Sequence, residues 1–161
     1  MRVDIMTTLQ GDGQRPQLVK ERGVNYEAAD SLNSPEKIER MLNEIFRLSE
    51  RTEEHGYLVC FNTKYRVTGI FEISQGGVNF ASLSNREIFS RALLCGAASI
   101  AVVHNHPSGD VTPSTSDLRC AERIQKAGDL MGIKLSDFLI VGEEGFFSFA
   151  EAGLLTGGEG T

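Results

Sequence analysis

Apolar positions along the chain keep two rhythms, one helical and one of strands. Ile38, Met41, Leu42, Ile45 and Leu48 recur at three- and four-residue spacing, and Glu36, Glu39, Arg40, Asn43 and Arg47 fill the opposite side. That pattern predicts an amphipathic helix. Ser34-Pro35 supplies its start, with Ser as cap and Pro at the first helical position. Tyr57 to Phe61 and Tyr65 to Ile73 are short and rich in β-branched and aromatic residues, joined by Asn62-Thr63-Lys64. They predict an antiparallel hairpin. Ser74-Gln75-Gly76-Gly77 predicts a turn after it.

The second half alternates the two rhythms. Ser84-x-x-Glu87 is a capping box opening a helix with Ile88, Phe89, Ala92 and Leu93 inward and Gly96 as its stop. Ser99 to Val103 predicts a buried strand. Ser114-x-x-Asp117 opens another helix, with Leu118, Ala121, Ile124 and Met131 inward and Gly132 after its end. Leu135 to Val141 and Phe146 to Phe149 predict two more strands. Strands and helices taking turns in this way predict an α/β fold: a mixed β-sheet flanked by helices on both faces, with an antiparallel hairpin.

The ends of the chain carry weaker patterns. Residues 1–33 are expected to form a partly ordered N-terminal extension. Within it, residues 1–15 read as loose and Gln17 to Lys20 as a short edge strand. Residues 34–155 form the expected domain, and 156–161, rich in Gly, an expected disordered tail. Glu53-Glu54-His55-Gly56 reads as a helix end, with His55 exposed in a loop.

Charge and cysteine content narrow the function. A net charge of −6 without a Lys/Arg run gives no support to a stand-alone nucleic-acid binder. Cys60, Cys95 and Cys120 form no C-x-x-C and are odd in number. Free thiols in a reducing compartment follow. No apolar run reaches membrane-spanning length, and the first residues lack a signal-type apolar core, so a cytoplasmic protein is expected.

The chemistry concentrates in His104-Asn105-His106-Pro107-Ser108-Gly109-Asp110, which runs on to Pro113, Ser114 and Asp117. Strand side chains alternate, so His104 and His106 point to one side where the strand ends. Asp117 lies on the first turn of the next helix. Two imidazoles and a carboxylate so placed can meet one cation. A catalytic zinc takes three protein ligands and keeps a fourth position for water. Each piece has an ordinary alternative: H-x-H alone is a weak signal, and a capping box accounts for Ser114 and Asp117 without a metal.

The spacing H-x-H, seven residues, S-x-x-D resembles the JAMM motif of the MPN/JAB metalloprotease domains. The longer run HNHPSGD…PS…D resembles their RadC branch, and the similarity extends through FNTKYRVTGIFEISQGG, NREIFSRALLCGAASI and SDFLIVG. The resemblance implies a deaminase-like three-layer arrangement and Zn²⁺ held by His104, His106 and Asp117. It implies hydrolysis of an amide or isopeptide bond in a protein or peptide substrate, with Ser114 donating to the developing oxyanion. It also implies a glutamate acid/base on an early strand. Glu72 is the only acid between Tyr57 and Asn79 and is the expected one. The ordinary reading of Glu72 is a solvent-facing edge residue, and a one-residue slip in register would turn it to the other face.

Three other functions fit parts of the pattern. A zinc deaminase would need H-x-E with a later P-C-x-x-C, and both are absent. A silent MPN scaffold would typically have lost ligand positions that are all present here. The RadC branch also has an association with DNA repair, which a salt-dependent DNA-binding assay would expose.

Overall fold

The computed structural model describes residues 1–27, 31–76 and 82–156. Among them, seven strands form one mixed sheet. In chain order the elements are β1 (Arg2–Gln10), β2 (Pro16–Asn25), α1 (Pro35–Phe46), β3 (His55–Phe61), β4 (Val67–Gln75), α2 (Asn85–Leu94), β5 (Ser99–Asn105), α3 (Thr115–Met131), β6 (Lys134–Gly142) and β7 (Gly145–Ser148). The sheet order is β2-β1-β4-β3-β5-β6-β7. β3 is antiparallel to both β4 and β5, while β5 and β6 run parallel.

The side-chain alternation of the strands divides the core in two. On one face, Ile38, Met41, Leu42 and Phe46 of α1 pack on Tyr57, Val59, Ile70, Ala101, Val103 and Val141. On the other, Ile88, Phe89 and Ala92 of α2 and Cys120, Ala121 and Ile124 of α3 pack on Leu58, Cys60, Phe71, Val102, Phe138 and Ile140. This is the expected mixed sheet with helices on both faces, in three layers. β3 and β5 are buried along their whole length, because both lie inside the sheet and under helices.

Local signals set most boundaries. Both capping boxes form: Ser84 Oγ accepts from Glu87 N–H, Ser114 Oγ accepts from Asp117 N–H, and each carboxylate returns the bond to its cap residue. Gly96 and Gly132 end their helices at φ +63° and +70°, a region that favours glycine. Ser34 caps α1 by position, without a side-chain bond. The turn after β3 closes on Asn62, whose Oδ1 accepts from the amides of Lys64 and Arg66. β4 therefore starts at Val67, two residues later than expected, and it continues through Gln75 into the stretch expected to turn. Gly77, the last residue of that expected turn, lies outside the described residues.

Several expectations are corrected. Residues 1–15 are not loose: β1 and β2 form a long antiparallel hairpin that extends the sheet. Val3 and Ile5 are buried on the α1 face and give β1 the reason to stay. The hairpin meets the rest of the sheet through a single registered pair, Ile5 with Ile70. His55 is not exposed; it opens β3 and is only 6% accessible. Leu93 of α2 is 60% exposed, and Leu118 and Met131 of α3 are also exposed, because each lies on the flank of its helix's apolar stripe. Leu48 is buried as expected but follows α1 in a separate 3-10 turn, after Arg47 adopts φ +54°. Thr156, the first residue of the expected tail, is tied to Gln125 through its backbone oxygen at 2.6 Å. The rest of that tail lies outside the described residues.

The three cysteines are free thiols. Cys60 and Cys95, far apart in sequence, come together in the fold. Cys95 Sγ occupies the space over Gly69, the cross-strand neighbour of Cys60. Among the described residues no helix is long and apolar enough to cross a membrane.

Candidate metal centre

β5 delivers the first imidazole. His104, level with Gly56 of β3 and Ile140 of β6, sits on the α2/α3 face and is 1% exposed. The strand ends at Asn105, and the next residue turns off on fixed bonds. His106 N–H donates to Val141 O at 2.9 Å, and His106 Nδ1 lies 2.7 Å from Asp110 O. An imidazole whose Nδ1–H meets a carbonyl presents a free Nε2 lone pair, the form a metal needs. The loop from His106 to Ser114 rests against Gly142, where an added Cβ would stand 2.8 Å from Gly109 O and from Val111 Cγ1. The absence of a side chain at Gly142 is what allows that approach.

α3 delivers the carboxylate. The capping box fixes Asp117 twice: its own N–H donates to Ser114 Oγ at 3.0 Å, and its Oδ2 accepts from Ser114 N–H at 2.8 Å. The remaining capacity of the carboxylate faces the histidines. Asp117 Oδ1 lies 3.0 Å from His104 Nε2, and Oδ2 lies 3.3 Å from His106 Nε2. One ligand atom from each of His104, His106 and Asp117 falls within 4.8 Å of the others. With bonds of about 2.0–2.1 Å, donors on a tetrahedral zinc stand about 3.3 Å apart; each imidazole reaches an Asp117 oxygen at about that separation, but on different oxygens, 3.0 Å to Oδ1 and 3.3 Å to Oδ2. The donor set fits too: two imidazoles and a carboxylate favour zinc and related divalent ions. Capping and metal binding are therefore compatible here, because the carboxylate that caps α3 also faces both histidines.

The same groups hold charge in the absence of an ion. Burial alone would raise the Asp117 carboxyl, but the hydrogen bond and charge of His104 and the Ser114 amide outweigh it and hold the group at about 2. Burial alone would lower His104, and Asp117 and Glu54 together raise it instead.

Glu54 was not among the expected site residues. It stands directly before β3, and its Oε1 lies 3.3 Å from His104 Nδ1. One histidine thus bridges two carboxylates, Asp117 at Nε2 and Glu54 at Nδ1. The signal lies in the strand pairing rather than in the local sequence. The start of a strand antiparallel to β5 must lie beside the end of β5, so an acid just before β3 is brought to H-x-H.

Glu72 is not brought there. It pairs with Tyr57 in register, and its carboxylate meets His55 Nδ1 at 2.7 Å. Tyr57 belongs to the core on the α1 face, so Glu72 and His55 lie across the sheet from His104. The expectation that Glu72 flanks the metal is corrected by strand parity: its side chain points to the wrong face.

A three-layer α/β domain in which an imidazole at the end of a central strand, a second just beyond it and a helix-capping Asp converge has the architecture of a JAB-type domain with a candidate metal site. The chain belongs to the RadC-like JAB domain family, whose profile matches residues 32–154. A UPF0758 protein of Geotalea uraniireducens is 35% identical over 130 residues, covering 81% of this chain and 56% of that protein. A UPF0758 protein of Geobacter sulfurreducens is 36% identical over 127 residues, 79% of this chain and 55% of that protein. One from Clostridium beijerinckii is 38% identical over 124 residues, 77% of this chain and 53% of that protein. The chain spans about half the length of these relatives.

Proposed function

We propose that the chain is a zinc-dependent hydrolase of the JAMM class that cleaves an amide or isopeptide bond in a protein or peptide. The observation that carries this reading is the convergence of His104, His106 and Asp117 beside the Glu54 carboxylate. His104 Nε2, His106 Nε2 and a carboxylate oxygen of Asp117 would hold the ion. A divalent ion there supplies Lewis acidity, lowering the pKa of a coordinated water from about 15.7 toward about 7.

The chain's own groups do the rest. Glu54, rather than Glu72, is assigned the acid/base role: it lies on the His104 face, its carboxylate is partly open to solvent, and it meets His104 at Nδ1, the nitrogen turned away from Asp117, so it serves as the base by swinging from that contact to the water. It accepts a proton from the attacking water and returns it to the leaving amine nitrogen. Its contact with His104 Nδ1 also fixes the imidazole with Nε2 turned to the ligand cluster. Ser114 Oγ accepts from the Asp117 amide and keeps its own O–H for donation to the substrate carbonyl oxygen as charge grows there. The net acidity of the chain favours a polypeptide over a nucleic acid as substrate. Three free thiols agree with a cytoplasmic setting.

The test is removal and return of the metal. Protein stripped by a chelator and reloaded with Zn²⁺ is assayed against peptide and isopeptide libraries. Zinc-restored hydrolysis is the expected result. Stoichiometric zinc with no cleavage of either bond type would return the domain to a scaffold role.

A further inference from the structure

Between the two ligand histidines stands Asn105, 1% exposed and without a part in the chemistry described so far. It closes β5, and its side chain reaches across to the segment that leads into β3. Asn105 Oδ1 accepts from His55 N–H at 2.7 Å. Asn105 Nδ2 donates to Glu53 O at 3.0 Å and toward Arg51 O at 3.4 Å. The chemistry fixes the orientation of the amide: an N–H needs the oxygen, and two carbonyls need the NH₂.

The residue enclosed by these bonds is Glu54. The carbonyl before it and the amide after it are both held by one carboxamide. Its own carbonyl accepts from Gly76 N–H at 2.8 Å. Its side chain is thus left to be aimed by a fixed backbone, and the aim is His104 Nδ1 at 3.3 Å.

We propose that Asn105 is a positioning residue that locks the Glu54 backbone to the end of the metal strand, so that the Glu54 carboxylate is fixed on His104. The middle residue of H-x-H then has a task as specific as its neighbours. His104 meets the ion on one face of the sheet, while Asn105, pointing the other way, secures the acid that orients His104. No other side chain of the same reach offers one acceptor and two donors at once. Asp keeps the acceptor but turns a carboxylate on two carbonyl oxygens, and Ala leaves three buried backbone groups without their partner.

This inference rests on the metal-binding reading of the site and not on hydrolysis. Its test is therefore metal affinity, measured with Co²⁺ and Zn²⁺ on the full chain, in a cycle of Asn105→Ala, Glu54→Ala and the double variant. Loss of a partner that orients a metal-bound histidine typically weakens affinity by about 10–100-fold. Each single variant is expected to show such a loss, and the double variant no more than the larger of the two. An equal further loss from Asn105→Ala in the Glu54→Ala background would overturn the proposal, since the two residues would then act separately. A folded Asn105→Ala protein with wild-type affinity would overturn it as well.

A measurement on the unaltered protein guards against a variant that fails to fold. Amide exchange by NMR is expected to show the His55 N–H and the Asn105 side-chain NH₂ strongly protected. Rapid exchange at both would sink the clamp whatever the variants do. If the wild-type chain binds neither ion, the metal reading falls by itself, and the exchange data still decide whether Glu54 is held by Asn105.

Discussion

Two histidine–carboxylate groupings lie at the same end of the sheet on opposite faces. On the α1 face, His55 and Glu72 form a single pair at 2.7 Å, with Glu72 42% exposed. On the α3 face, His104 and His106 share Asp117, and Glu54 stands behind His104. Both use the same side-chain types. They differ in convergence: the first satisfies itself one to one, while the second aims three donors at one another from a strand, a loop and a helix terminus. Proximity of a histidine to an acid is thus a poor mark of a metal site. The useful mark is a set of donors fixed by separate elements, each with its remaining nitrogen or oxygen already bonded elsewhere.

That contrast can be broken most forcefully at the ligands. His106→Ala and Asp117→Ala are expected to abolish stoichiometric metal binding, whereas His55→Ala leaves it intact and costs about 1 kcal/mol of stability through the lost half-buried pair. Elemental analysis and urea unfolding of the three variants read both quantities. Equal metal loss in His55→Ala would erase the distinction between the faces.

The acids give the next largest effect. Glu54→Gln keeps an acceptor for His104 Nδ1 but cannot take a proton, so hydrolysis should fall by roughly 10²–10⁴ with metal still bound. Glu72→Gln should leave hydrolysis unchanged and cost at most about 1 kcal/mol, since its carboxylate is half in water. A reversed order of the two would restore Glu72 to the role expected from the sequence.

The smallest effect is the pH dependence of the metal-free protein. Asp117 and Glu54 raise His104 above its ordinary 6.5 against the lowering effect of burial. A group raised on folding contributes fully below its unfolded pKa, and that contribution is lost as pH rises through the folded value. Unfolding free energy of the stripped protein should therefore decline as pH climbs from about 6.5 through the raised His104 value. Asp117 has the opposite sense: held at about 2, it contributes above about 4 and is lost as pH falls toward 2. Urea unfolding across pH should show less decline on the alkaline side in Glu54→Gln, where one of the raising charges is gone.

How much of this was legible in the sequence follows from how local each signal is. The two capping boxes, the glycine stops and the strand before His104 are written within a few residues, and they stand where they were expected. The convergence of the candidate trio was legible for the same reason: Asp117 comes thirteen residues after His104, and a strand end, a turn and a helix start account for that span. Glu54 was not, because its place is made by pairing between segments about fifty residues apart, as the contact of His55 N–H with Asn105 shows. Glu-Glu-His-Gly has the composition of a surface turn, and only the strand partner reveals that its second half, His55-Gly56, is buried. The β1–β2 hairpin was missed although Arg2-Val3-Asp4-Ile5 alternates, since a few buried residues over two long, mostly exposed strands make a faint pattern.

That hairpin also acts as a cover. It lies before the segment that matches the family profile, and it shields the outer side of β4 while being registered to it through one residue pair. A version of the chain cut back to residue 32 would leave β4 with an open hydrogen-bonding edge, and open edges recruit other strands. For anyone trimming this domain to its recognisable limits, sticking of one copy to another is the outcome to guard against.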